Sequence, residues 1–188
     1  VKAGDIVAFS VLEFLAPRKY MLEELLRLMI VYSDNTATNV LMDKLGIDQI
    51  NEEIKKLGYR DSKLCRKMMD FKAAEEGRQN YTSVKEMFDL MDRLYSSTLL
   101  GSPYDEQMLE IMKGQADETM MRQELPDEIT IARKSGELDA LDHDIAIVYT
   151  EKGDYIYIFF VWDARDNNQA RDILSKTSRM VFDDFIDK

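Results

Sequence analysis

The chain has 188 residues, with 45% hydrophobic and 32% charged side chains, which is typical of one folded domain or two small ones and excludes a disordered chain. Its formal net charge of -11 argues against binding to nucleic acid or to an anionic membrane surface, because both normally require a basic face. The longest apolar run, from Tyr155 to Trp162, is too short to span a bilayer, so no membrane span is expected.

The first two-thirds of the chain has the apolar spacing of helices. One helix is predicted from apolar residues that recur on a single face, namely Leu22, Leu25, Leu26, Met29 and Ile30. Further helices are predicted over about 35–45, 47–57, 84–95 and 103–112, from glycine C-caps, polar N-caps and a proline at the first turn.

After Pro126 the pattern changes to that of strands, predicted over 129–134, 144–150 and 155–162, with a hairpin turn at 151–154. A final amphipathic helix, about 168–186, is predicted to bury Ala170, Ile173, Leu174, Thr177, Val181 and Phe185. The predicted fold class is therefore α+β. A mainly helical subdomain is expected over 1–126, followed by three antiparallel strands and a C-terminal helix over 127–188.

The strand from Tyr155 to Trp162 is apolar on both faces, which is typical of a strand inside a sheet. Only the strand across the hairpin is an obvious neighbour, and proteins normally cover an open apolar edge. We therefore expect that a partner strand is missing from this sequence. Self-association or a complementing N-terminal segment would cover the edge.

Two polar clusters are candidates for chemistry. The turn Ser33-Asp34-Asn35 joins two apolar helices, where a serine can relay a proton, an asparagine can hold a carbonyl group and an aspartate can fix the turn. About a hundred residues later, Lys134-Ser135-Gly136 ends a strand with a positive charge, a hydroxyl donor and a bare backbone edge. Each motif alone is also compatible with an ordinary helix cap or a solvated strand end.

In this order and context, the two clusters resemble the second and third motifs of the penicillin-recognising serine enzymes. The segment from Leu25 to Gly46, LLRLMIVYSDNTATNVLMDKLG, is similar to the helix-turn-helix of class A β-lactamases. The resemblance extends through Arg66-Lys67-Met68-Met69-Asp70, Asn80-Tyr81-Thr82-Ser83 and His143-Asp144. It runs from about Asp5 to the end and implies a β-lactamase/transpeptidase-like fold that lacks the family's N-terminal strands and central helix.

The resemblance implies a role for each matching residue. Ser33 would pass a proton to the leaving nitrogen of a β-lactam, and Lys134 would support it electrostatically. Asn35 would hold the substrate's side-chain amide, and Ser135 would bind the substrate carboxylate. Glu137, after Gly136, would offer its backbone N–H to an oxyanion hole.

Two family features do not match. The Ser-x-x-Lys motif that carries the nucleophile should lie several dozen residues before Ser33, but only 32 residues precede it and none fits; Thr82-Ser83-Val84-Lys85 has the right look but lies downstream. Aligning Arg66 with the family arginine places Met68 where a glutamate activates the deacylating water, and a thioether cannot accept that proton. Asp142 lies near the position of a carboxylate-binding arginine in relatives.

Three hypotheses follow. The chain is a β-lactamase-like serine hydrolase, or the C-terminal part of one, acting on a β-lactam or a peptidoglycan-like acyl substrate. Alternatively it is a penicillin-binding, transpeptidase-like protein that acylates without efficient turnover, or a non-catalytic binding module. No cofactor or metal is expected, since His143 is the only histidine and Cys65 the only cysteine. The resemblance implies an extracytoplasmic location.

Overall fold

The computed structural model describes residues 1–187. The helices are α1 (Leu22–Val31), α2 (Asn35–Leu45), α3 (Ile47–Lys56), α4 (Phe71–Glu75), α5 (Val84–Tyr95), α6 (Tyr104–Met112) and α7 (Asn167–Ile186). The strands are β1 (Thr130–Leu138), β2 (Leu141–Thr150) and β3 (Gly153–Trp162). This confirms the predicted α+β fold class. The strands begin earlier or end later than predicted, and the short helix α4 was not predicted.

The chain divides into two compact units, the first over residues 1–86 and the second beginning at Met87. The change from helices to strands lies near residue 126, as the sequence pattern indicates. A domain division at that residue stays a prediction.

The first unit is built around contacts between α1 and α2. Its core contains Leu12, Leu25, Ala37 and Leu41, with Leu28 packed against them. The predicted buried face of α1 is partly wrong, because Leu22 and Leu26 are exposed. The buried stripe of α1 passes through Leu25 and Leu28, since this is the row that faces α2.

The second unit contains the antiparallel sheet, with strand order β1-β2-β3. Ser135 of β1 lies opposite Asp144 of β2, and Asp144 lies opposite Phe159 of β3. Within the part of the chain that the structure describes, β1 and β3 are therefore the outer strands. Lys134, Ser135 and Gly136 were predicted to end the first strand, but β1 continues to Leu138, so Lys134 is the middle residue of this outer strand.

Helix α7 packs on one face of the sheet, where Leu174 and Phe182 meet Ala146, Val148 and Tyr157. The predicted face of α7 is only partly right. Its buried residues follow every fourth position, at Ala170, Leu174, Ser178 and Phe182, with Ser175 beside them, whereas Ile173 and Val181 are exposed. The buried row thus contains two small serines in place of the larger aliphatic residues that the spacing favours.

Candidate functional site

Ser33 lies at the exposed junction of α1 and α2 in a strained backbone conformation. Its φ of 51° is in the left-handed region, which is unfavourable for a residue with a Cβ atom. The following N–H, that of Asp34, donates to the Leu28 carbonyl over 3.0 Å and closes the end of α1. Strain of this kind is maintained only where the surroundings determine the conformation, and it is common at functional sites.

Asp34 supplies that determination. Its side chain is fully buried and accepts hydrogen bonds from the backbone N–H of Ala37 at 2.8 Å and of Leu12 at 3.0 Å. The first bond is the N-cap of α2, and the second ties the turn to the segment before α1. The expectation that Asp34 holds this turn through backbone hydrogen bonds is confirmed.

Asn35 directs its side chain to the same segment. Its Nδ2 donates to the carbonyl oxygens of Ala8 at 3.1 Å and Phe9 at 3.4 Å. Phe9 itself has a φ of 57° and a side chain that is 79% exposed. Because the donor half of the Asn35 amide is engaged inside the unit, a ligand N–H would be accepted by its Oδ1.

Asn39, one turn further along α2, grips the backbone of Met68. Its Oδ1 accepts from the Met68 N–H at 2.8 Å, and its Nδ2 donates to the Met68 carbonyl at 3.0 Å. This paired contact fixes residue 68 to the helix that begins at the Ser33 turn. The sequence analysis did not predict this contact, because a single asparagine on a helix face carries no signal of its partner.

Lys134, Ser135, Gly136 and Glu137 are consecutive on β1 in the second unit. Burial and the neighbouring Arg133 charge lower the pKa of Lys134 to about 8, and the carboxylates of Asp117 and Asp144 oppose this shift. The ammonium also donates to the Ser135 carbonyl. A lysine in this setting can exchange a proton near neutral pH more readily than an exposed one.

Arg133 anchors this part of β1 from within the unit. Its guanidinium is almost fully buried and makes a two-pronged contact with fully buried Asp144, Nε to Oδ1 at 3.2 Å and Nη2 to Oδ2 at 2.8 Å. Asp144 also accepts from the Met121 N–H at 3.2 Å. Burial raises the pKa of Asp144 to about 6, although Arg133 opposes the rise. Each charge thus compensates the other, and the guanidinium also donates to the backbone carbonyls of Asp117 and Thr119.

Asp117 connects this pair to Ser135. Its Oδ1 accepts from the Thr119 N–H at 2.8 Å and from the Thr119 hydroxyl at 2.6 Å, and its Oδ2 lies 3.4 Å from Arg133 Nη2. The carboxylate is also hydrogen-bonded to the Ser135 side chain. Burial opposes ionisation, but the hydrogen bonds from Thr119 and Ser135 prevail and lower the pKa of Asp117 below its usual value.

Asp142 and Glu137 are paired with α7. Fully buried Asp142 accepts from Arg171 Nε at 2.9 Å and from Asn167 Nδ2 at 2.8 Å, and Arg171 Nη2 lies 3.0 Å from Glu137 Oε2. Arg171 is thus shared between the Asp142 and Glu137 carboxylates and partly compensates the buried charge of Asp142. His143 stacks on Phe160 with ring centroids 4.3 Å apart, and burial lowers its pKa, in keeping with a structural role.

The Arg133 cluster was also missed by the sequence analysis. One signal was available: Ile131, Arg133 and Ser135 share one face of β1, and a charged residue next to the buried Ile131 on such a face requires a buried partner.

Within residues 1–187, no three His, Cys, Asp or Glu side chains are grouped to hold a metal ion. No helix in that range is long and apolar enough to cross a membrane.

The structure thus brings Ser33 and Asn35 together in the first unit and Lys134, Ser135, Gly136 and Glu137 together in the second. Convergence of the two groups on one cleft stays a prediction.

Comparison with known proteins gives a consistent result. The model of the beta-lactamase enzyme family matches residues 2–185. A beta-lactamase from Proteus vulgaris is 26% identical over 191 residues, which cover 96% of this chain and 63% of that protein. The chain therefore spans less than two-thirds of the length of this relative.

Solved structures agree with the match. The beta-lactamase from Sphaerobacter thermophilus has a TM-score of 0.89 against this chain and 26% identity, covering 98% of this chain and 72% of that one. PBP-A has a TM-score of 0.84 and 26% identity, covering 95% of this chain and 67% of that one, and one structure of a PBP-A variant is an acyl-enzyme complex with penicillin G.

Proposed function

Because the chain belongs to the beta-lactamase enzyme family, we propose that it supplies the second and third motifs of a serine hydrolase that opens β-lactams or related acyl compounds. In this chemistry a serine attacks the acyl carbon, the ring nitrogen leaves with a proton, and water releases the acyl group. The observation that carries the proposal is the Ser33 turn, an exposed and strained hydroxyl position held by a fully buried aspartate.

The proposed roles follow the chemistry of each group. Ser33 passes the proton to the leaving nitrogen, and Lys134, with its lowered pKa, supports that transfer. Asn35 accepts a substrate amide N–H through its Oδ1. Ser135 binds the substrate carboxylate, and the backbone after Gly136 offers the Glu137 N–H to the developing oxyanion.

A second candidate function is favoured by Met68. Asn39 holds the backbone of residue 68 by two hydrogen bonds, so this position is fixed relative to α2. A methionine there cannot take a proton from water. We propose that the acyl-enzyme is released slowly, as expected of a penicillin-binding, transpeptidase-like protein.

Fluorescent penicillin and a chromogenic cephalosporin separate these outcomes when applied to the full-length gene product. We expect stable labelling with little hydrolysis. Met68→Glu should shorten the lifetime of the label, and the matched variant Met68→Gln, which has similar size but no basic oxygen, should not. Rapid hydrolysis by the parent protein would favour the β-lactamase. Absence of labelling would favour a non-catalytic binding module. The 188-residue chain itself is expected to hydrolyse no β-lactam.

We also propose that β3 pairs with a further strand, either from a complementing segment or from a second copy of the chain, because its residues are apolar on both faces and it is an outer strand of the described sheet. Light scattering over a range of concentrations tests this. A monomer at all concentrations, with fast hydrogen exchange at the β3 amides that do not pair with β2, would contradict it. An extracytoplasmic location is proposed from the family alone.

A further inference from the structure

Two buried hydroxyl groups lie behind the Ser33 turn, and the proposed chemistry gives them no role. Ser10 is 5% exposed and Thr36 is fully buried, and their side-chain oxygens lie 2.8 Å apart. The Thr36 N–H donates to Ser10 Oγ at 2.9 Å, and the Val7 N–H donates to Thr36 Oγ1 at 3.0 Å. The pair therefore joins the first turn of α2 to a segment 26 to 29 positions earlier in the chain.

The protons of this pair have one arrangement that satisfies the whole group. A backbone N–H can only donate, so Ser10 Oγ and Thr36 Oγ1 each accept one bond from the backbone. If Thr36 donated to Ser10, the buried Ser10 proton would have no acceptor among these contacts. Ser10 therefore donates to Thr36, and Thr36 donates to the Val7 carbonyl at 3.4 Å. Each hydroxyl both donates and accepts, and breaking such a buried network is costly.

This network encloses the two carbonyl groups that hold Asn35. Asn35 Nδ2 donates to the carbonyl oxygens of Ala8 at 3.1 Å and Phe9 at 3.4 Å, and both residues lie between the two that are bonded to Thr36. A carbonyl oxygen can only accept, so the Nδ2 end of the amide must face these two atoms. The orientation of the Asn35 amide therefore depends on where residues 8 and 9 are held.

Polar contacts, and not packing of its ring, hold Phe9 in place. Its φ of 57° lies in the left-handed region, and its side chain is 79% exposed. A conformation of this kind persists only where the surroundings determine it. The bonds at Val7 and Ser10, one on each side of residues 8 and 9, provide that constraint.

We propose that Thr36 and Ser10 are positioning residues that fix the Asn35 amide against the side-chain amide of the substrate. Both are buried, so they act through the carbonyl groups of residues 8 and 9 and do not contact the substrate. This inference rests on the proposed function, since it assumes that Asn35 engages an acyl substrate. Loss of the Thr36 hydroxyl should then weaken only those ligands that carry a side-chain amide.

The test compares benzylpenicillin, which carries a side-chain amide, with penicillanic acid, which has the same bicyclic ring system without it. Each is titrated into the ¹⁵N-labelled 188-residue protein while the backbone amide signals of residues 33–35 are followed. In Thr36→Val the affinity for benzylpenicillin should fall about fivefold to tenfold, the factor for one hydrogen bond, and the affinity for penicillanic acid should not change. Hydrogen exchange at the Val7 amide and the Asn35 side-chain amide should rise by about the same factor.

Three variants serve as controls. Thr36→Ser keeps the hydroxyl and should restore the parent affinity and exchange rates. Thr38→Val removes a hydroxyl from the same helix and should leave both unchanged, because Thr38 donates to the Asp34 carbonyl at 2.8 Å. Ser10→Ala should reproduce the effect of Thr36→Val, and it carries the comparison if Thr36→Val does not fold. Parent-like amide signals in α3 show that a variant is folded.

The outcomes separate this inference from the proposed function. Equal weakening of the two compounds in Thr36→Val, or unchanged exchange at Val7 and Asn35, would overturn the positioning role and leave the acyl site intact. If neither compound moves the signals of residues 33–35 in the parent protein, the proposed function fails. The exchange rates alone then decide whether the hydroxyl pair fixes Asn35.

Discussion

Replacing Arg133 with methionine should destabilise the protein in a pH-dependent way. The substitution removes both guanidinium contacts to Asp144, at 3.2 and 2.8 Å, and leaves this fully buried carboxylate with the hydrogen bond from the Met121 N–H. Removing one partner of a buried ion pair costs about 3–5 kcal/mol while the other stays charged. We therefore expect a loss of this size at pH 8.

The pH dependence follows from Asp144. The pKa of Asp144 in the folded parent protein is raised to about 6, above an unfolded value of about 4. Below pH 6 Asp144 is therefore protonated in the folded state, and the free energy of unfolding falls as the pH rises from about 4 to about 6. Without Arg133 the folded-state pKa rises further. Between pH 6 and pH 8 the variant should then lose up to about 1.4 kcal/mol per pH unit relative to the parent, whose Asp144 is already ionised.

Urea unfolding followed by far-UV circular dichroism at pH 6 and pH 8 measures the loss of stability in the variant and its change with pH. The control is the double variant Arg133→Met/Asp144→Asn, which has no buried charge at this position and should lose the pH dependence. An equal cost at the two pH values, or a double variant as pH-sensitive as the single one, would refute the assignment of this pair as mutually dependent buried charges.

Three further predictions concern other parts of the structure. Leu174→Ala should cost about 2–5 kcal/mol in urea unfolding, whereas the exposed neighbour Ile173→Ala should cost less than about 0.5 kcal/mol; similar losses would show that the buried face of α7 is misassigned. Asn39→Ala should remove the two bonds to Met68, lower stability by about 1–3 kcal/mol and raise hydrogen exchange at the Met68 amide; an unchanged exchange rate would contradict the contact. Glu86→Gln should lower the melting temperature at pH 7, because three backbone N–H groups from residues 60–62 hold the Glu86 pKa at about 2 against partial burial. The difference should narrow as the pH falls from about 4.5 through about 2, and a gap that stays constant over that range would argue against it.

Much of the fold could be predicted because local signals determine it. Gly46, with a φ of 84°, ends α2 and donates its N–H to Met42, as the C-cap pattern indicates. The turn at Ser33 was likewise predicted from the polar residues between two apolar helices. Such features depend on residues only a few positions apart.

The rest depends on partners that are remote in sequence. Asp144 was predicted as the first residue of a strand, whereas β2 begins at Leu141. Its pairing with Arg133, eleven positions earlier, follows from the hairpin that joins β1 to β2. The buried row of α7 was misassigned because amphipathic spacing allows two adjacent rows, and only the sheet chooses between them. The contact between Asn39 and Met68 has no local signature at all.

Every proposed catalytic role depends on one prediction, that the Ser33 turn and the Lys134 segment of β1 form walls of one acyl-binding cleft. Amide chemical-shift mapping with benzylpenicillin tests this directly. We predict that the signals of residues 33–35 and 134–137 move together and give one common dissociation constant. Movement of one segment alone, or two different constants, would contradict this prediction.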